Sequence, residues 1–133
     1  MSKIVLIGAG STNFGLGTIG DIFKSRILDK STIVLHDINA ESLKNTELIA
    51  KKYKEKLNLN FTIEATTSRK DALKNADFCI ISIEVQPRFD LWDQDWKVPL
   101  EYGFQQVFGE NGGPGGLFHS LRVTPPIVEI CDD

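Results

Sequence analysis

Apolar residues recur along the first two thirds of the chain in two patterns, one typical of buried strands and one of amphipathic helices. Short runs rich in β-branched residues predict four strands, over residues 3–7, 32–35, 61–65 and 78–83. Apolar residues spaced three to four positions apart predict helices over residues 13–28 and 69–75. A further helix is predicted to begin after Asn39, which would be its N-cap. This β-α-β-α-β-α-β order predicts an α/β fold, a Rossmann-like doubly wound parallel sheet. We expect the fourth strand to be fully buried and Cys79 to be an inert part of the core.

The chain beyond residue 84 has a different character. Two tryptophans and several aspartates precede a second glycine-rich segment, and a helix is predicted from Leu117. Pro125 and Pro126 interrupt this helix, either as a kink or as the start of a new helix with Thr124 as its N-cap. We therefore divide the chain into a core over residues 1–84 and a second segment over residues 85–133, whose domain is incomplete at the chain end.

Composition narrows the classes of protein. The 133 residues carry 15 Lys and Arg against 18 Asp and Glu, a formal net charge of −3. This balance gives no electrostatic footprint for nucleic acid or an anionic membrane surface. No apolar run approaches the roughly 20 residues of a membrane-spanning helix, and glycine appears too early for a signal peptide. Cys79 and Cys131, the two cysteines, fit a reduced compartment, so we expect a cytoplasmic protein.

The first glycine-rich segment has the context of a dinucleotide site. Gly8 and Gly10 follow the first strand, where such a site needs a tight turn and close backbone approach to a pyrophosphate. Ser11–Asn13 can donate hydrogen bonds at the start of the next helix, although Asn13 replaces the third glycine of the usual G-x-G-x-x-G pattern. Asp37 ends the second strand, where a carboxylate would accept hydrogen bonds from the adenosine ribose and repel a 2′-phosphate. The sequence thus favours NAD over NADP.

Simpler interpretations of these residues stay open at this point. Gly8 and Gly10 could merely form a tight turn, with Asp37 capping the following helix. We expect His36, beside Asp37, to be a partly exposed residue at the strand end rather than a ligand.

The second glycine-rich segment places polar groups at the start of a helix. It runs from Gly109 to Gly116, contains Glu110 and Asn111, and is followed closely by His119. Such a segment can present a carboxylate, an amide and free backbone N–H groups to a ligand. The alternative is an ordinary glycine-rich connector.

With both glycine segments considered, the chain resembles glycoside hydrolase family 4, the NAD- and divalent-metal-dependent glycosidases. The likeness runs from end to end and includes the replacement of the third glycine. The stretches that carry it are Ile7–Phe14, His36–Asn39, Ala76–Phe78, Tyr102–Gly103, Gly113–Gly116 and Leu121–Arg122. The resemblance implies that residues 1–84 are the NAD-binding core and that residues 85–133 begin the substrate region. The expected NAD contacts are Gly8, Gly10, Ser11, Thr12, Asn13, Phe14, Asp37 and Asn39.

The resemblance also implies a redox-assisted elimination. NAD+ would take hydride from carbon 3 of the sugar and so acidify the proton at carbon 2. A tyrosine would remove that proton, a metal would hold the enediolate that forms, and the leaving group would depart. Water would then add and the hydride would return from NADH, so NAD is needed without net turnover. Glu110 matches the family carboxylate that makes this tyrosine a better base. Asn111 would contact sugar hydroxyls, and Arg88 and His119 could line the same pocket. The family's tyrosine base and its Cys and His ligands for Mn2+ belong to later motifs. We therefore expect an N-terminal piece of a larger enzyme that binds NAD, contains no metal ligands and is inactive by itself.

The sequence also bears on the substrate, the oligomeric state and the alternative functions. Trp92 stands where the branch that acts on 6-phosphosugars has an arginine, which favours an unphosphorylated α-glycoside. Apolar surface on the last strand and helices predicts association, so we expect a homo-oligomer. Two other functions stay open: part of a lactate- or malate-type dehydrogenase, and a non-enzymatic NAD-binding module.

Overall fold

The computed structural model describes residues 1–85, 87–105 and 112–133. The elements, in chain order, are β1 Lys3–Ile7, α1 Thr12–Lys24, β2 Thr32–His36, α2 Ala40–Lys56, β3 Thr62–Thr66, α3 Arg69–Leu73, β4 Phe78–Ile81, α4 Arg88–Glu101 and α5 Pro114–Asp132. They fall into two compact units, the first Met1–Ser82 with Asp133 and the second Ile83–Asp132.

The first unit contains a parallel sheet with the strand order β3-β2-β1-β4. Consecutive strands β1 to β3 extend the sheet in one direction, and β4 then pairs on the other side of β1. This reversal next to β1 is the topological switch point of a doubly wound fold, where the carboxyl ends of the strands form a ligand crevice. The Rossmann-like class predicted from the sequence is confirmed.

The core of the first unit lies on the two central strands and the helices packed against them. β1 and β2 are buried along nearly their whole length because each has a strand on both sides and they carry mainly Ile, Val and Leu. The cluster extends to Ile19 of α1, Leu43 of α2 and Phe61, whose ring centroid lies 5.2 Å from that of Phe23. The glycine turn directly follows β1, so it is anchored to the most buried part of the sheet.

The predicted burial of the fourth strand is wrong. Phe78 and Cys79 of β4 are exposed, because β4 pairs with β1 alone among the described strands and lies at the edge of the sheet. An apolar run identifies a strand, but it does not show which neighbours cover the strand's faces. Cys79 is accordingly not a core residue in this structure.

The exposure of both cysteines gives a direct prediction. A thiol reagent added to the native 133-residue chain should modify Cys79 and Cys131 about as fast as it modifies them in urea, because both are exposed. Counting the thiols that react without denaturant measures this. A native chain in which Cys79 reacts slowly, as identified with a Cys131→Ser variant, would contradict the exposed position of β4.

The second unit contains two helices that approach closely at one point. A Cβ added to Gly115 of α5 would lie 2.5 Å from the backbone oxygen of Asp95 in α4. The Arg122 guanidinium also pairs with the buried Asp95 carboxylate. α5 continues through Pro125 and Pro126, so the interpretation of Thr124 as the N-cap of a new helix is wrong. Of the described helices, none combines the length and apolar character needed to cross a bilayer.

Candidate nucleotide site and substrate residues

The turn after β1 is held by the end of β2. Gly8 has φ +86°, a conformation that glycine adopts without steric cost. The amides of Gly8 and Ala9 both donate to the backbone oxygen of His36, at 2.9 and 3.0 Å. Two hydrogen bonds to one carbonyl fix the turn at the carboxyl end of the central strands, where a pyrophosphate would lie in this fold class.

The Asp37 carboxylate joins this turn to the start of α2. Its Oδ2 accepts from the Gly10 amide at 2.8 Å, and its Oδ1 accepts from the Asn39 amide at 2.9 Å. Asn39 in turn caps α2, because its Oδ1 accepts from the amides of Glu41 and Ser42 at 3.1 and 3.0 Å. Asn39, and not Asp37, is thus the N-cap, and Asp37 is held beside the glycine turn instead.

The amino end of α1 is open to an anionic group. Ser11 is its N-cap, with Oγ accepting from the Phe14 amide at 3.4 Å, and no acidic side chain lies in the first turn. Thr12 and Asn13 are exposed there and Phe14 is half-buried. Unpaired amides and the helix dipole favour negative charge at such an end. These residues are placed where the sequence analysis expects a pyrophosphate.

Gly15 is a functional glycine that the sequence analysis missed. A Cβ at this position would lie 2.1 Å from the backbone oxygen of Ala9, so α1 packs directly on the glycine turn. In the usual G-x-G-x-x-G pattern the third glycine provides this close packing. Gly15 has the same packing role two positions later than the pattern places it. The signal was present as an excess of glycines within a predicted helix, where glycine is otherwise unfavourable.

His36 is buried, contrary to the expectation of partial exposure. Its residue surface is 4% exposed, and its Nδ1 lies 3.0 Å from the backbone oxygen of Thr66 at the end of β3. Because a carbonyl only accepts hydrogen bonds, Nδ1 carries a proton in this contact. His36 therefore joins three segments: its side chain contacts β3, while its backbone oxygen holds the glycine turn.

The second unit holds the other residues that the sequence analysis singled out. The Arg88 guanidinium carbon lies 4.1 Å from the ring centroid of Trp92, a cation–π distance. His119 Nε2 lies 3.8 Å from Oε1 of Glu84, a residue that the sequence analysis did not select. Glu110 and Asn111 lie outside the described residues.

The described residues do not fit a metal site. Within the described ranges, no group of three or more His, Cys, Asp or Glu side chains is arranged to hold an ion. No step that depends on a metal is therefore assigned to these side chains.

The first unit is a Rossmann-like α/β domain with a glycine turn and a fixed carboxylate at the switch point of its sheet. The chain belongs to the family 4 glycosyl hydrolases, whose sequence profile matches residues 3–133. Membership in this family sets aside the alternative of a lactate- or malate-type dehydrogenase.

Individual relatives of the chain include glycosidases of known sequence and of known structure. The chain is 61% identical to an α-glucosidase from Erwinia rhapontici over 99% of its own length and 29% of that protein. It is 33% identical to an α-galactosidase from Bacillus subtilis strain 168 over its full length and 31% of that protein. A 6-phospho-α-glucosidase from gut microorganisms, solved in complex with NAD and glucose-6-phosphate, superposes with a TM-score of 0.80. That match has 26% identity and covers 98% of this chain and 29% of that one. The chain thus spans less than a third of the length of these relatives.

Proposed function

We propose that the complete enzyme containing this chain is an NAD- and Mn2+-dependent glycosidase that acts on unphosphorylated α-glycosides. The chain would supply its NAD-binding core, over residues 1–84, and the start of its substrate region, over residues 85–133. The observation that carries the proposal is the Asp37 carboxylate held 2.8 Å from the Gly10 amide beside the open end of α1. The 61% identity with an α-glucosidase supports the reaction and the substrate class.

Two parts of the glycine turn would contact the phosphates of NAD. Gly8 and Gly10 allow the pyrophosphate to approach the backbone, and the Ser11–Phe14 segment offers amides and side-chain donors at the start of α1. Gly10 leaves no room for more than a hydrogen, since a Cβ there would lie 2.8 Å from Asp37 Oδ2. A larger residue at position 10 would therefore displace the Asp37 carboxylate.

Asp37 and Asn39 would bind the adenosine half of NAD. An ionised carboxylate has about four acceptor positions, so Asp37 can accept from ribose hydroxyls after the Gly10 and Asn39 amides have taken one position on each oxygen. The Asn39 side-chain oxygen is occupied by the α2 cap, which leaves its NH2 group to donate. A 2′-phosphate would meet the negative charge of Asp37, so the site would prefer NAD to NADP.

The second unit would contribute sugar contacts. Bound NAD+ supplies an acceptor for hydride from the sugar. Glu110 would polarise the base that removes the neighbouring proton, and Asn111, Arg88 and His119 would contact the sugar. No Mn2+ ligand is assigned to the described residues, whose proposed role is to orient the cofactor and the sugar.

The cysteine content and the exposed apolar side chains bear on the cellular location and the oligomeric state. We infer a cytoplasmic homo-oligomer that binds neither nucleic acid nor membranes. The low cysteine content, two in 133 residues, supports a reducing compartment. Exposed apolar residues on β4 and α5, such as Phe78, Phe118 and Leu121, support association of subunits.

The experiment joins this chain in frame to the remainder of the Erwinia rhapontici α-glucosidase, replacing the region that it matches. We expect this enzyme to hydrolyse a nitrophenyl α-glucoside only with both NAD and Mn2+, without net formation of NADH. The 133-residue chain alone should bind NAD by calorimetry and show no turnover. Hydrolysis that needs no NAD, or net NADH formation from the sugar, would contradict the proposed function.

A further inference from the structure

We propose that Glu84 is a specificity-determining residue, which binds a sugar hydroxyl together with His119 and rejects phosphorylated sugars. The inference rests on the proposed glycosidase function and names a residue and a mechanism for its preference for unphosphorylated substrates. It is carried by the geometry of the Glu84–His119 pair and by the distribution of charge in the second unit.

The distance between the two side chains suits a bridging hydroxyl. Glu84 Oε1 and His119 Nε2 are 3.8 Å apart. That is longer than a direct hydrogen bond, yet a single oxygen can lie about 2.8 Å from both atoms. A sugar hydroxyl both donates and accepts, so it can donate to the carboxylate and accept from a protonated imidazole nitrogen. A phosphate oxygen of a dianion has no proton to give to Glu84.

The location of the pair along the chain is that of a ligand-binding element. Glu84 follows the last residue of β4 by three positions, and the segments after parallel strands carry the binding residues in doubly wound folds. His119 lies five residues after the start of α5, which follows the segment containing Glu110 and Asn111. The two side chains are 25% and 21% exposed, so both are partly desolvated and still accessible to a ligand.

Charge in the second unit also disfavours a phosphorylated sugar. Among its described residues, seven Asp and Glu stand against three Lys and Arg. Lys97 pairs with Asp93, and Arg122 pairs with the buried Asp95, so a carboxylate already balances each of these positive charges. A phosphate dianion beside the Glu84 carboxylate would be repelled. A neutral polyol carries no such penalty.

The test compares Glu84→Gln, Glu84→Asp and Asp93→Asn in the joined enzyme described above. Asp93 is the matched control, because it is a carboxylate of the same unit that pairs with Lys97 on the surface. Binding of methyl α-glucoside and of glucose 6-phosphate is measured by calorimetry with NAD present, and hydrolysis of the nitrophenyl glucoside is measured in parallel. Melting temperatures confirm that each variant is folded.

We expect Glu84→Gln to weaken methyl α-glucoside binding about tenfold and to raise KM more than it lowers kcat. The ratio of glucose 6-phosphate to glucoside affinity should rise by at least tenfold. Glu84→Asp keeps the charge but shortens the side chain, so it should weaken the glucoside and still reject the phosphate. Asp93→Asn should stay within twofold of the unsubstituted enzyme.

Two distinct results would count against the two proposals. If Glu84→Gln leaves the affinity ratio within twofold of the Asp93→Asn control, the role assigned to Glu84 is wrong. If the unsubstituted enzyme hydrolyses the glucoside without NAD, the proposed function fails, while the sugar-binding comparison still decides the role of Glu84.

Discussion

Replacement of Gly15 by alanine is expected to lower the free energy of unfolding by about 3 kcal/mol, because overpacking at a backbone contact cannot be relieved by a rotamer change. The new methyl group would lie 2.1 Å from the backbone oxygen of Ala9. Either α1 or the glycine turn must move, and the turn is held by two hydrogen bonds to His36. NAD affinity should fall together with stability, since the same shift displaces the amides of the turn.

The same helix provides the control. Nothing lies within 4 Å of a Cβ built on Gly17, and its backbone is helical. Gly17→Ala should therefore raise the free energy of unfolding by about 0.5–1 kcal/mol, because alanine loses less backbone entropy in a helix. Urea denaturation of both variants of the 133-residue chain measures the difference. Equal midpoints for the two variants would show that α1 does not pack on the turn as described.

The features that the sequence predicted well depend on local chemistry. β1 and β2 are short apolar runs with strands on both sides, so their pattern and their burial agree. Asn39 predicted the start of α2 because an N-cap acts on amides only two and three residues away. The order of these elements then determined the parallel sheet, since parallel strands need crossover helices.

The features that the sequence did not predict depend on contacts between distant segments. The burial of β4 depends on which strands and helices cover it, and the apolar run around Cys79 carries no such information. α1 ends at Lys24 rather than at residue 28, and the apolar Ile27 is exposed. His36 is buried, and its Nδ1 donates to the backbone oxygen of Thr66, thirty residues away along the chain.

The candidate sites show the same division. Gly8, Gly10 and Asp37 were identified because their spacing around two strands is a local pattern with a known physical purpose. Gly15 matters only because α1 touches Ala9, and Glu84 only because α5 brings His119 within 3.8 Å of it. Residues of that kind become candidates only once the folded structure shows what they contact.

Replacement of Asp37 by asparagine should weaken NAD binding by roughly 10- to 100-fold, the loss expected when hydrogen bonds to a charged acceptor are removed. The carboxylate accepts from two amides and has further acceptor positions for ribose hydroxyls. Asparagine has a single side-chain oxygen, so its NH2 group would face either the Gly10 amide or the Asn39 amide. Calorimetry on the 133-residue chain measures the change in Kd.

A selectivity measurement separates a binding role for Asp37 from a merely structural one. Loosening of the glycine turn would weaken NAD and NADP by the same factor, whereas removal of the negative charge should weaken NAD more and narrow its advantage over NADP by about tenfold. Asp21→Asn is the control, because Asp21 is an exposed carboxylate of α1 that pairs with Lys24. If Asp37→Asn and Asp21→Asn give the same ratio of NAD to NADP affinity, Asp37 does not contact the ribose. The proposed preference of the site for NAD would then have no residue to explain it.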